Sequence, residues 1–369
     1  MMSLVWWQGR NKMLRLFLSG KKCPLPKSPG TVLISRSGGL GDIIMTTPLV
    51  RAIRNHYPKA HIVYLVGLEA APALKNNKDI NKIIAFDEKI IFGKKIGKIL
   101  ELKQKIMALD ADMCFILDKS KWWNVLMKLS GIPVRVGFDR KGEGFSNTHN
   151  IAFDGEKSEL EYYLEMADLI GARIPSKATV FNLKEDDHRY ARSFLHEHSL
   201  DRKKVLAICP GGAKNCGHAF PLKRWLVERY AELINELPTA IEVVIIGGPM
   251  DKEIIDEMKG MLKRRAYISY DASLSENAAL LAHCRLVLTH DSGLMHIAAA
   301  LNDNVIALFG PTPALRFAPS NVKVIDKHEE YPPCYDIFGN TSACQGYEGM
   351  NALSAGEVQK VVLKKLDTQ

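Results

Sequence analysis

Two consecutive α/β domains, each built on a doubly wound parallel sheet, are what this sequence predicts, and three observations predict them. From Thr31 onward, short apolar runs alternate with longer segments of helical period, the mark of parallel strands joined by crossover helices. The alternation lapses once, at "RIPSKATVFNLKEDD", and then restarts. At 369 residues the chain also exceeds what one hydrophobic core usually serves.

In chain order, "TVLIS" reads as strand, "DIIMTTPLVRAIRNHY" as one helix ending before Pro58, "HIVYLVG" as strand and "IGKILELKQKIMAL" as helix. "MCFILD" is strand, "WWNVLMKLSG" helix, "VRVGF" strand and "ELEYYLEMADLIGA" helix. The lapse places a linker near residues 174–186, so residues 31–180 form the first Rossmann-like domain and residues 181–369 the second. The second domain reads "KVLAICPGG" strand and turn, "LKRWLVERYAELINEL" helix, "IEVVIIGGP" strand and turn, and "DKEIIDEMKGMLK" helix. "SENAALLAHC" helix, "RLVLTHD" strand, "SGLMHIAAAL" helix and "NVIALFGPT" strand and turn follow, and the helix "SAGEVQKVVLKKL" comes last. Open sheets of this kind bind ligands at the carboxyl ends of their strands, so a cleft between the domains is the expected site.

Hydrophobic residues at 47% and charged residues at 25%, without low-complexity tracts, fit a soluble globular protein. The net charge of +9 suits an anionic partner: a nucleotide, a phosphorylated glycan or an acidic membrane surface. Nucleic acid is not expected, because zinc-finger spacing and aromatic-basic ribonucleoprotein signatures are missing. Seven scattered cysteines with no C-x-x-C pair argue for reduced thiols and a cytoplasmic setting. Cys334 and Cys344 flank a polar loop and are left with two readings, a metal site or a bridge. No run reaches the ~20 apolar residues that span a bilayer. Residues 1–30 form an arm that lacks a signal peptide's apolar centre and mixes Trp6, Trp7, Leu14, Phe17 and Leu18 with Arg10, Lys12, Arg15, Lys21 and Lys22. That mixture suits a headgroup boundary or packing on the arm's own domain.

The second domain has four strand-to-turn junctions rich in small residues: Gly211 and Gly212 after Pro210, Gly247-Gly248-Pro249, Asp291-Ser292-Gly293, and Gly310-Pro311-Thr312. Backbone amides exposed there, at helix N-termini, suit phosphate or pyrophosphate. Neither a Walker A pattern nor a complete G-x-G-x-x-G with its acidic partner is present, which disfavours ATPase and dehydrogenase chemistry. Asp291 reads as the N-cap of its helix or as a holder of a ligand hydroxyl or amine, and His296, one turn in, as a hydrogen-bonded packing residue sooner than a catalyst. In the first domain the turn Gly38-Gly39-Leu40-Gly41 carries more glycine than capping needs, which implies close backbone approach. Asp42, at the helix N-terminus that follows, stays ionised at neutral pH and is a candidate general base for a substrate hydroxyl. The plain alternative is an N-cap.

The stretches "ISRSGGLGDIIMTTPLVRAIRNHYP", "ICPGG…FPLKRW…RYAEL", "VVIIGGPMDKE", "LTHDSGLMHIAAAL", "ALFGPT" and "PPCYDIFGNTSACQGYEGMNALSAGEV" resemble, in order, the blocks of glycosyltransferase family 9, the ADP-heptose:lipopolysaccharide heptosyltransferases. The resemblance spans roughly residues 31–366 and implies a GT-B architecture with the donor nucleotide in the second domain and a final helix that often returns to the first. It implies inverting, metal-independent transfer from a nucleotide sugar, with Asp42 as the base. By the same likeness Asp291 meets donor sugar hydroxyls, while Ser292, Gly293, Leu294 and His296 hold the diphosphate. Gly310, Pro311, Thr312, Gly211 and Gly212 border it, and Asp251 or Glu253 meets the ribose. The family's "K-R-W-P" lysine is expected at His218, in "HAFP", with Lys214, Lys223 or Arg224 as substitutes. Asp110-Ala111-Asp112 is set aside as a metal-binding D-x-D because it reads as a helix-to-strand connection. No cofactor or metal is expected. The expected donor is a nucleotide-diphosphate sugar such as ADP-heptose. The expected acceptor is a phosphorylated lipid or oligosaccharide of lipopolysaccharide-core type on the cytoplasmic membrane face, with peripheral contact there. Two rivals remain, a nucleotide-sugar epimerase of the same architecture and a non-catalytic sugar-nucleotide-binding subunit of an envelope assembly complex.

Overall fold

The computed structural model describes residues 17–93, 95–212, 214–215 and 218–367. The chain divides into two compact units, one holding the residues through Gly38 and Thr46–Lys177, the other holding Ala178 onward together with the short segment Gly39–Met45.

The first unit is built on β1 (Thr31–Arg36), β2 (His61–Gly67), β3 (Lys82–Phe86), β4 (Met113–Ile116), β5 (Val134–Asp139) and β6 (His149–Ala152). All pairs are parallel, in the order β3-β2-β1-β4-β5-β6, which is the Rossmann order. β1 sits in the middle with Val32, Leu33 and Ile34 fully buried, as a strand covered on both faces must be. Of the predicted elements, the helix over residues 42–57 is instead two, α1 (Leu40–Ile44) and α2 (Thr47–His56). Pro48, in the first turn of α2, has no N–H to continue a helix through it, so the chain restarts there. α3 (Lys89–Phe92), α4 (Ile96–Met107), α5 (Lys121–Leu129) and α6 (Glu159–Leu169) complete the unit. Ser120 caps α5, and Ser158 with Glu161 closes a capping box on α6. Asp112 accepts from the amides of Gly30 and Thr31, so the Asp110–Asp112 stretch is a structural connection.

The second unit opens with α7 (Glu185–Glu197), inside the end of the expected linker. Its sheet comprises β7 (Lys204–Ile208), β10 (Ile241–Ile246), β11 (Tyr267–Ser269), β12 (Leu286–His290), β13 (Val305–Leu308) and β14 (Val322–Ile325), and a small antiparallel hairpin pairs β8 (Lys214–Asn215) with β9 (His218–Ala219). The parallel order β11-β10-β7-β12-β13-β14 repeats the first sheet's topology. Flanking helices are α8 (Val227–Glu236), α9 (Lys252–Gly260), α10 (Leu274–His283), α11 (Gly293–Leu301), α12 (Ala314–Phe317) and α13 (Ala355–Asp367). The closing helix α13 does not leave for the first domain: Val358, Val362 and Leu366 enter the second unit's core beside Leu206 and Ile245, and the Trp225 indole N–H fastens Leu353 O just before it at 2.9 Å.

Of the two readings left for Cys334 and Cys344, the bridge is the one found: they form a disulfide with Cα atoms 5.1 Å apart, the exception to the reduced thiols expected from the scattered set. Cys23, Cys114, Cys209 and Cys284 are free, and Cys216 lies outside the described residues. So do Trp6, Trp7, Arg10, Lys12, Leu14 and Arg15 of the arm.

Candidate active site

β10, β7, β12 and β13 are neighbours and run parallel, so their carboxyl ends stand side by side along one edge. The four small-residue junctions therefore form one rim. Asp251 fastens two of them, accepting from Gly212 N–H through Oδ1 and from Gly248 N–H through Oδ2, each at 2.8 Å. A Cβ at Gly211 would fall 2.1 Å from the Asp251 carboxyl carbon, and Gly212 has φ +90°, so glycine is required at both positions. Glu253, by contrast, is exposed in the first turn of α9. At the far end of the rim the amides of Cys334 and Tyr335 donate to Pro311 O at 3.0 and 3.1 Å, and Tyr347 Oη donates to Gly310 O at 2.8 Å.

Asp291 is not the N-cap of α11. That position is Ser292, which makes no side-chain cap, so the first amides of α11 are left to the rim. Asp291 lies one residue earlier, buried, with Lys223 Nζ at 2.7 Å and the Thr312 hydroxyl donating at 2.6 Å. Burial works to raise its pKa, but Lys223 and the Thr312 hydrogen bond outweigh it and hold the carboxyl below the ordinary range. Lys223 also corrects the lysine assignment. "K-R-W" stands at Lys223-Arg224-Trp225 itself, so the pattern's lysine is Lys223 and not a residue in "HAFP". Arg224 turns instead to Gly212 O at 2.9 Å. His218 and Lys214 lie in β9 and β8, their side chains outside the description.

Asp42 occupies the third position of α1, and its Oδ2 accepts from Gly39 N–H at 3.0 Å, so it closes the first turn from inside and is not the N-cap. α1 lies against α11 through two glycines. A Cβ on Gly41 would sit 2.4 Å from His296 Cδ2, and one on Gly293 would sit 2.8 Å from Leu40 Cβ. Only a pair of missing side chains permits this approach, which is why Gly39–Met45 belong to the second unit although the chain on either side belongs to the first. The reading that placed residues 31–180 wholly in the first domain is amended there. His296 is buried beneath Gly41 with its pKa pushed down to about 4, chiefly by desolvation and despite the opposing charges of Asp291 and Asp42. It is neutral at pH 7, and its Nδ1 has no hydrogen-bond partner among the described residues. His290, at the end of β12, is likewise buried, and desolvation drives its pKa down to about 3.

Before the glycine turn, within the first unit, two carboxylates hold the backbone. Asp118 accepts from the Ser37 amide at 3.1 Å and from its hydroxyl, and Glu88 accepts from the Gly38 amide. Burial raises the pKa of Asp118, with Arg36 at 3.2 Å and Ser37 pulling it back. Neither carboxylate stood out in the sequence. Asp118 carried a signal only as the last residue of "MCFILD", at a strand's carboxyl end, and Glu88 carried none. The second unit thus gathers Gly39, Leu40, Gly41 and Asp42 with Asp291, Ser292, Gly293, Leu294, His296 and Thr312, while Gly38 remains with the first unit.

Two sheets of Rossmann order in one chain, the second with an amide-rich rim and the short helix of Asp42 packed on it, are the make-up of the GT-B glycosyltransferases. The chain belongs to glycosyltransferase family 9 (heptosyltransferase), whose family model matches residues 99–345. It is 27% identical over 301 residues to lipopolysaccharide heptosyltransferase 2 of Escherichia coli K12, covering 76% of this chain and 83% of that protein. Its fold is similar to a glycosyl transferase of family 9 from Veillonella parvula, with TM-score 0.78, 22% identity, and coverage of 95% of this chain and 100% of that one. It is also similar to the E. coli ADP-heptose LPS heptosyltransferase II, with TM-score 0.71, 22% identity, and coverage of 92% and 98%.

Proposed function

We propose that this glycosyltransferase moves a heptose from ADP-heptose to an acceptor of lipopolysaccharide-core type, with inversion and without a metal. The observation that carries the reading is the packing of α1 on α11, which fixes the Asp42 carboxylate beside uncapped helix amides in a single unit. In this reading Asp42 takes the proton of the acceptor hydroxyl as its oxygen bonds to the anomeric carbon. The bond from that carbon to the diphosphate breaks, and the departing charge falls on the amides at Ser292, Gly293 and Leu294. Neutral His296 donates a hydrogen bond there, and Lys223 supplies the positive charge next to Asp291. Gly211, Gly212, Gly310, Pro311 and Thr312 border the diphosphate, and Asp251 shapes the rim beside the ribose. The names of the relatives support the sugar and the acceptor class, and an acceptor of that class is the reason to propose peripheral contact on the cytoplasmic face; no helix among the described residues is long and apolar enough to cross a membrane.

Asp42→Asn keeps the shape and removes the base. Turnover with ADP-heptose and a core acceptor should fall by ~10² or more, with ADP affinity little changed. Near-normal turnover would remove Asp42 from the mechanism. Epimerised ADP-heptose formed without acceptor would favour an epimerase instead.

A further inference from the structure

On the first unit, an apolar surface set among lysines is left exposed by the described residues. α4 and α5 lie on one face of the first sheet, because Leu102 and Ile106 of α4 share a core with Trp123 and Met127 of α5. The opposite sides of such helices are ordinarily polar. Here Ile96 is 73% exposed and Trp122 56%, with Leu100, Met107 and Leu129 also exposed. Ile96, Leu100 and Met107 recur at helical spacing along α4, and Trp122 and Leu129, seven apart, along α5, so each set forms a stripe.

Charge accompanies the stripes. Residues 89–100, "KIIFGKKIGKIL", contain four lysines and no acidic residue. Lys121 Nζ stands 5.4 Å from the centre of the Trp122 ring. Lys128 Nζ donates to Ser19 O at 2.6 Å, which brings the start of the described chain, with Phe17 81% exposed, to the end of α5. The acidic residue on the exposed side of α4, Glu101, is paired with Lys98 at 3.3 Å. In a parallel sheet the helices begin at the carboxyl edge, so Ile96 and Trp122 lie toward the same edge as Ser37 and Gly38.

A second copy of this face would bring lysines against lysines, and a polyanion such as nucleic acid would use the charge but not the apolar stripes. An anionic bilayer uses both. We infer that the α4–α5 face docks on an anionic lipid surface, its apolar side chains at the acyl boundary and its lysines among the headgroups. This rests on the peripheral-membrane reading above and assigns it to a surface.

The test is flotation of the full chain with mixed phosphatidylglycerol–phosphatidylcholine vesicles and with phosphatidylcholine alone, comparing wild type, Leu100→Glu/Trp122→Glu, and a chain lacking residues 1–16. Circular dichroism and thermal unfolding of each variant check folding of the substituted unit, and ADP thermal shift checks the other. Wild type should float only with the anionic vesicles, and the double variant should partition at least ~10-fold more weakly. A double variant that floats like wild type overturns the assignment while leaving peripheral binding intact, and so does loss of flotation on removing residues 1–16 alone. Wild type that floats with neither vesicle overturns the peripheral reading itself.

Discussion

Substituting Gly41 by alanine tests the α1–α11 packing directly. The added methyl would lie 2.4 Å from His296 Cδ2, 2.8 Å from Nε2 and 3.2 Å from Cγ, where ordinary contact begins near 3.4 Å. Something must retreat by about 1 Å. The ring cannot swing aside, because His296 is buried on α11, so α1 must lift and carry Asp42, the next residue, with it. Overpacking of this kind costs about 1–3 kcal/mol, and a 1 Å misplacement of a reacting group costs ~10² in rate. Steady-state release of ADP from ADP-heptose with a core acceptor should therefore show turnover down about a hundredfold, alongside a modest loss of thermal stability. Because the clash is with the ring, Gly41→Ala combined with His296→Ala should cost less than the two changes summed. Turnover of Gly41→Ala within twofold of wild type, or strict additivity in the pair, would refute the reasoning.

Asp251→Ala strands the Gly212 and Gly248 amides, so it should destabilise the protein by about 1–3 kcal/mol and weaken ADP binding, both read by thermal unfolding with and without ADP. His290 and His296 are held neutral, so as pH falls from about 6.5 toward 4 the unfolded chain gains protons that the fold refuses. Stability should then drop by about 1.4 kcal/mol per pH unit for each histidine, and urea unfolding from pH 7 to pH 4.5 that shows a flat profile would contradict their burial. Reducing the Cys334–Cys344 bridge opens a short loop whose closure stabilises by ~2–3 kcal/mol. The melting temperature should fall with reductant, and ADP binding with it, since Cys334 and Tyr335 anchor Pro311. Cys334→Ser should abolish the response to reductant.

Much of the fold was legible because buried parallel strands leave apolar runs that periodicity detects, as in "TVLIS" and "IEVVIIGGP". The strands that escaped, β3, β6, β11 and β14, are short and are the edge strands of the two sheets, where part of each faces solvent and the run is broken. α7 escaped because its first turn, Glu185-Asp186-Asp187, reads as linker. At the site, glycine density around residues 38–41 announced a close approach but could not say to what, since the partner, His296, lies more than 250 residues away. The Lys223–Asp291 pair was obscured for a similar reason: its two members lie 68 residues apart, and nothing in the sequence joins the "K-R-W" triplet to the "DSG" turn.

Seven residues numbered with one half of the molecule belong to the other. Anyone recombining relatives of this family to exchange donor preference would naturally cut at Lys177. That graft would leave Gly39–Met45 of the host facing a foreign α11, and unless both glycines matched, the hybrid would carry an ill-fitting α1 and a displaced Asp42 carboxylate. A faithful exchange has to carry the seven residues along as a second insert.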